Sequence, residues 1–173
     1  MNPSKLSSLL LTLSLIIIFS QTSNAKLFED VCKATAEDND RCLQILKSEP
    51  KIVSANSDIA LCKLILQFAL KKGEEAQNYL KEMMKTNPSP AIKECATIHY
   101  DEVVGSFKSS LGELKEDELT ANYDAKVAGD GPTTCETALA SENINIPKIS
   151  DLNKEILLLS KIAFLATNKL PNS

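Results

Sequence analysis

Residues 57–85 read SDIALCKLILQFALKKGEEAQNYLKEMMK, and the class of the fold turns on this stretch. Its apolar positions Ile59, Cys62, Ile65, Leu66, Ala69, Ala76 and Leu80 keep the spacing of one helical face. Ser57 offers an N-cap hydroxyl, and Asp58 places a negative charge in the first turn, where the helix dipole favours one. A helix is therefore expected from Ser57 to about Lys85. Cys62 sits on its stripe, where a free thiol behaves as a small hydrophobe rather than a redox group.

Downstream the same grammar repeats. Asn87-Pro88-Ser89-Pro90 stops the chain and restarts it, with Ser89 as cap and Pro90 in the first helical position. Ile92, Cys95, His99, Val103, Phe107 and Leu111 then share one face, and the chain's single histidine reads as a packed or hydrogen-bonded residue. Gly112 and the acidic run Glu116-Asp117-Glu118 mark the next connection, a solvated surface or helix N-terminus. The third helix is expected from about Asp117 to Ala140, with Leu119, Tyr123, Val127, Cys135 and Leu139 as its apolar set. Gly129-Asp130-Gly131-Pro132 falls inside it, and proline costs about 3 kcal/mol in a helix interior. Either the helix kinks there or it is really two; the kink is the favoured reading, because the apolar phase resumes at Cys135 and Leu139. Ser141 to Lys148 reads as a loop containing Pro147. Ser150 then caps a last helix carrying Leu152, Ile156, Leu159, Ala163 and Ala166, which ends before Pro171.

Upstream, two short helical segments from Leu27 to about Lys47 flank the polar bend Glu37-Asp38-Asn39-Asp40, and Pro50 ends that unit. Short helices are marginal alone. Cys32 and Cys42 bracket the bend and form the natural pair, a closure worth roughly 3 kcal/mol on the loop-entropy model. Cys95 and Cys135 lie on consecutive, hence antiparallel, helices at comparable distances from the intervening turn. Joining them closes a longer loop, worth roughly 4 kcal/mol on the same model. Cys62 is left as the odd thiol. The expected fold is all-α: an up-down-up-down four-helix bundle at 57–171 after a helical hairpin at 26–50, with two disulfides.

The disulfide reading depends on where the chain goes. Lys5 precedes an apolar run from Leu9 to Phe19, interrupted by Thr12 and Ser14, and Ser23-Asn24-Ala25 follows with small residues where a signal peptidase cuts. The run is shorter than the roughly 20 residues that span a bilayer. Residues 1–25 are expected to be a signal peptide and 26–173 the secreted domain, with no membrane segment after cleavage. In that oxidising route, cysteines pair before they bind zinc. Without Lys5, 18 basic side chains face 23 acidic ones. No basic block interleaved with aromatics points to nucleic acid.

Catalytic signatures are missing from the sequence. One histidine supports no Ser-His-Asp or Cys-His constellation, and there is no G-x-S-x-G elbow, phosphate-binding glycine loop or H-E-x-x-H. Neither a cofactor nor a metal is expected. The chain reads as a protein that acts through its surface.

The mature chain resembles the plant invertase and pectin methylesterase inhibitor family along nearly its whole length. The resemblance is carried by Val31-Cys32 through Arg41-Cys42-Leu43-Gln44-Ile45-Leu46-Lys47-Ser48-Glu49-Pro50, by Ile92-Lys93-Glu94-Cys95 with Tyr100, and by Ala121-Asn122-Tyr123. Thr134-Cys135-Glu136 and Leu159-Ser160-Lys161-Ile162-Ala163 complete it. It implies the same hairpin, bundle and two disulfides, a non-catalytic inhibitor, and an apoplastic, cell-wall or vacuolar setting. Three features depart from the family: a longer spacing from Cys32 to Cys42, the extra Cys62, and Pro132 just before Thr134-Cys135-Glu136. The invertase inhibitors of the family carry a Pro-Lys-Phe motif near the start of the third bundle helix, where this chain reads Glu118-Leu119-Thr120. With Thr134-Cys135-Glu136 behind Gly129-Asp130-Gly131, the resemblance implies pectin methylesterase as the target, occluded at its substrate cleft. Acid invertase, or a secreted binding or signalling module without inhibition, are the competing readings. The expected target-binding surface comprises Glu116, Asp117, Glu118, Asn122, Asp124, Asp130 and Thr134.

Overall fold

The computed structural model describes residues 26–171; the expected signal peptide lies outside the described residues. The chain begins with a helical hairpin of α1 (Lys26–Ala34), a single 3-10 turn (Ala36–Asp38) and α2 (Asn39–Lys47). Thr35 opens the reversal: its hydroxyl donates to the Cys32 carbonyl at 2.6 Å, and Ala36 then turns through a left-handed conformation at φ 58. Cys32 and Cys42 are bonded across this bend, with Cα atoms 5.4 Å apart. Pro50 does not simply end the unit. It starts a one-turn helix, α3 (Pro50–Val53), because proline's fixed φ and missing N–H suit the first helical position.

The long helix α4 (Asp58–Thr86) is capped as expected, the Ser57 hydroxyl accepting from the Ala60 N–H at 3.3 Å. Ser89 does the same for α5 (Pro90–Glu94), accepting from Ile92 N–H at 3.1 Å. A π-helical segment (Cys95–His99) follows, in which the Tyr100 N–H reaches back to the Cys95 carbonyl, and α6 (Tyr100–Glu113) continues the rod. The expected third bundle helix is two helices, α7 (Glu118–Val127) and α8 (Asp130–Ser141). Ala128 and Gly129 between them keep right-handed helical dihedrals, so the interruption bends the rod without reversing it. Pro132 has no N–H to offer the preceding turn, which is why the hydrogen-bond ladder fails there.

Helix α8 ends in a Schellman motif: the Ile144 N–H donates to the Leu139 carbonyl and the Asn143 N–H to the Ala140 carbonyl, with Asn143 at φ 55. The last helix, α9 (Pro147–Thr167), starts one turn earlier than a Ser150 cap would place it. Pro147 occupies its first position, so the residue read as loop punctuation is the helix start.

Helix α4 packs on α6 and α9, α6 on α7, and α7 and α8 on α9, which closes the four-layer ring of an all-α bundle. Ile65, Leu66, Leu80, Ile92, Phe107, Ile156, Leu159 and Ile162 fill its centre. Each such side chain contributes about 1.5–3 kcal/mol on leaving water. Ile59 is the exception among the expected α4 stripe and lies at the surface, while Leu61 and Phe68 turn inward. Cys95 and Cys135 join the π segment to α8, Cα atoms 5.0 Å apart. Phe28, Val31 and Leu46 seat the hairpin against the bundle. Lys161 of α9 locks it, donating to Thr35 O at 2.8 Å and to Asp38 Oδ2 at 2.7 Å. The hydrogen bond to Asp38 holds the Lys161 ammonium above its ordinary pKa. Among the described residues no helix is long and apolar enough to cross a membrane.

Candidate target-binding surface

The surface is built from α7, its capping turn and the start of α8. Asp117 caps α7: Oδ1 accepts from the Thr120 N–H at 3.0 Å and Oδ2 from the Thr120 hydroxyl at 2.7 Å. These bonds, the backbone one foremost, hold its carboxyl below the usual carboxylate range. The acidic connection is thus partly a helix start, one of the two roles its sequence allows.

Three polar anchors fix the rotation of α7. The Ser110 hydroxyl of α6 donates to the Ala121 carbonyl at 2.7 Å. The Ser160 hydroxyl of α9 donates to the carbonyls of Ala125 at 2.8 Å and Lys126 at 3.1 Å. Asn122 Nδ2 donates to Phe164 O and Thr167 Oγ1, both at 2.9 Å. With both neighbours pinned, the inward residues are Ala121, Ala125 and Ala128, all fully buried. Leu119 and Tyr123, read from the sequence as core, instead lie one turn apart on the outside, 63% and 65% exposed. Hydroxyl-to-carbonyl bonds demand close backbones, and alanine permits that approach where leucine and tyrosine do not. The alanine spacing at 121, 125 and 128 was the sequence signal that competed with the larger apolar set.

The junction with α8 is equally crowded. A Cβ on Gly131 would run into the His99 carbonyl oxygen and the Val103 side chain, and one on Gly129 would meet Ser160 Oγ. Both glycines are there for space. Thr134-Cys135-Glu136 divides its labour. Cys135 is in the disulfide, and Glu136 Oε1 accepts from Asn153 Nδ2 at 2.9 Å. Asn153 Oδ1 in turn accepts from the buried Tyr100 hydroxyl at 2.7 Å. Burial pushes the Tyr100 phenol far above its ordinary pKa, and Glu136 and Glu155 add to the rise.

The expected surface residues therefore fall into groups. Glu116, Asp130 and Thr134 are exposed, although the Thr134 hydroxyl already donates to the Asp130 carbonyl at 2.9 Å. Asp117 is exposed but occupied as a cap. Asn122 is half-buried and spent on α9. Glu118 and Asp124 are half-buried, each with one shielded carboxylate oxygen that has no hydrogen-bond partner. Cys62 lies buried behind this end of the bundle; burial first, then Asp58, pushes its thiol up to about 12, so it stays protonated. Among the described residues no cluster of three or more His, Cys, Asp or Glu side chains is arranged to hold a metal ion. What the α7–α8 face offers is an exposed apolar pair with acidic side chains and the exposed Lys115 and Lys126 in the same segment.

The model of the family described as plant invertase/pectin methylesterase inhibitor matches residues 26–165. Two solved structures share the fold. One is a mutant form of a pectin methylesterase inhibitor from Arabidopsis, at a TM-score of 0.70 and 20% identity, with 79% of this chain and 92% of that chain covered. The other is a pectin methylesterase inhibitor from Arabidopsis thaliana, at a TM-score of 0.63 and 20% identity, with 84% of this chain and 97% of that chain covered. At that identity the likeness establishes the fold alone. No curated protein sequence matches the chain significantly.

Proposed function

Because the chain belongs to the plant invertase/pectin methylesterase inhibitor family, whose members are inhibitors and not themselves enzymes, we propose that it is a secreted inhibitor of a pectin methylesterase. It lays the α7–α8 face across the entrance of the substrate cleft, so the polysaccharide cannot enter. The observation that carries this reading is the Leu119–Tyr123 pair, exposed on a helix whose other sides are pinned, with the exposed charged residues Lys115, Glu116, Asp117, Lys126 and Asp130 in the same segment. Aromatic and aliphatic anchors inside a polar rim supply most of the binding energy in such contacts, and rim charges set the rate of encounter. The disulfides keep the face pre-organised, which lowers the ordering cost of binding.

Two features favour the esterase over acid invertase. Both solved relatives described above are pectin methylesterase inhibitors. Glu118-Leu119-Thr120, standing where invertase inhibitors carry Pro-Lys-Phe, is the capped first turn of α7. The expected signal peptide at 1–25 would direct the mature domain to the cell wall.

The test is titration of purified pectin methylesterase and acid invertase with the mature, disulfide-bonded domain. Inhibition of the esterase alone is expected. Leu119→Asp and Tyr123→Ala should each weaken it by about thirtyfold or more, the loss of a hot-spot side chain. Inhibition of invertase alone would reverse the choice of target, and inhibition of neither would leave a binding module.

A further inference from the structure

Two adjoining depressions run along α9, between it and the hairpin on one side and α8 on the other. Asp38, Arg41, Lys154, Leu157, Leu158 and Lys161 line the first, about 400 Å³ in volume. Thr133, Glu136, Thr137 and Ser150 line the second, about 370 Å³, which shares Lys154 and Leu157 with the first. Hairpin, α8 and α9 all contribute, so the groove exists only in the folded chain.

Its charges are unevenly committed. Lys161 is neutralised by Asp38 at 2.7 Å and Glu37 at 3.7 Å. Glu136, the carboxylate on the second depression, is engaged by Asn153 at 2.9 Å. Arg41 and Lys154 are in no ion pair among the described residues, although the whole chain carries a net charge of -4. The groove thus brings these two unpaired cations together with hydroxyls and with Leu157, which is 46% exposed.

We propose that this groove binds an acidic polysaccharide, a chain of uronic acid sugars with free carboxylates. The Arg41 guanidinium suits a carboxylate through paired N–H donors, and Lys154 a second carboxylate further along the chain. The Thr133 and Thr137 hydroxyls donate to the Gly129 and Thr133 carbonyls at 3.0 and 3.1 Å and keep lone pairs to accept from sugar hydroxyls, beside the Ser150 hydroxyl. Leu157 offers an apolar floor for the C–H face of a ring. The groove is shallow, long and open, which suits a polymer rather than a small ligand. The choice of a polyuronate rests on the proposed esterase target, whose product is such a chain; the inhibitor would then be held where de-esterified polymer accumulates.

Affinity electrophoresis of the mature domain through gels containing polygalacturonate, highly methyl-esterified pectin or neutral dextran tests this without any enzyme. Retardation by polygalacturonate is expected, weakening with salt because the contacts are charged and exposed. Esterified pectin should retard less and dextran not at all. Arg41→Gln combined with Lys154→Gln should weaken retardation about tenfold. Both side chains are exposed, and an unchanged unfolding midpoint verifies the fold. Leu119→Asp should stay fully retarded. Equal retardation by dextran, none by polygalacturonate, or an unchanged double variant would overturn the proposal. A protein that inhibits the esterase but is not retarded sinks the groove alone. One that is retarded but inhibits no esterase sinks only the inhibitor reading.

Discussion

Helices α4 and α7 both pack against α6 and α9, yet they bury opposite kinds of residue. On α4 the inward side chains include Leu61, Ile65, Leu66, Phe68 and Leu80; on α7 they are Ala121 and Ala125. Both patterns are amphipathic. The difference lies in what joins each helix to its neighbours. From α4 the long-range polar contacts among the described residues come from side-chain ends, Gln77 Nε2 to the Ala96 carbonyl at 3.2 Å and to Asp101, and a half-exposed Lys72–Glu155 ion pair at 3.7 Å, while bulk fills the rest of its contact. On α7 serine hydroxyls reach its backbone carbonyls directly, which needs a narrow gap and small side chains. A helix held that way turns its large apolar residues outward, where they are free for a partner.

Truncation on each helix separates the two modes. Leu66→Ala on α4 should lower stability by about 2–5 kcal/mol, whereas Tyr123→Ala on α7 should stay within about 0.5 kcal/mol while inhibition collapses. Chemical denaturation of the two variants decides it, and a large loss with Tyr123→Ala would return that ring to the core.

Enlargement sharpens the contrast. Ala125→Leu should cost about 1–3 kcal/mol by forcing α7 off α9, although it adds apolar surface. The measurement is again a denaturation midpoint; a neutral result would mean the seam has slack that the Ser160 bonds do not reveal.

The smallest expected effect concerns how α7 starts. Asp117 has a depressed carboxyl pKa, so its contribution is present above the unfolded value of about 3.9 and fades as pH falls through the folded one. Asp117→Ala should therefore unfold at a lower temperature than the parent near about pH 6, with the gap closing toward about pH 2. Asp117→Asn, which also caps, should recover most of the difference and lose the pH dependence.

These contrasts show where reading stops. The Ser57 and Ser89 caps, the α4 and α9 stripes and the break near Pro132 follow from local chemistry, and so the bundle was legible. The burial of α8 at Cys135 and Leu139 was legible too, from the resumed apolar spacing after Pro132. On α7 two apolar sets, one large and one small, satisfy the same helical period. Periodicity cannot rank them, and Leu119 and Tyr123 were assigned to the wrong side. The same gap hid the structural duties of Asn122 and Glu136. Their partners Phe164, Thr167 and Asn153 are remote in sequence.

By itself the sequence determined that this protein is a helical hairpin followed by a bundle, because caps, prolines and apolar spacing act within a few residues along the chain. It also supplied the cysteines at the places where bridges form. Only the tertiary structure decided which face of α7 meets solvent, that a π-helical turn at Cys95–His99 and glycine at 131 let α8 close on it, and that Arg41 and Lys154 line one depression. Those features depend on distances between helices. Such distances are set by the smallest side chains and the cross-helix hydrogen bonds at each seam, which no local pattern encodes.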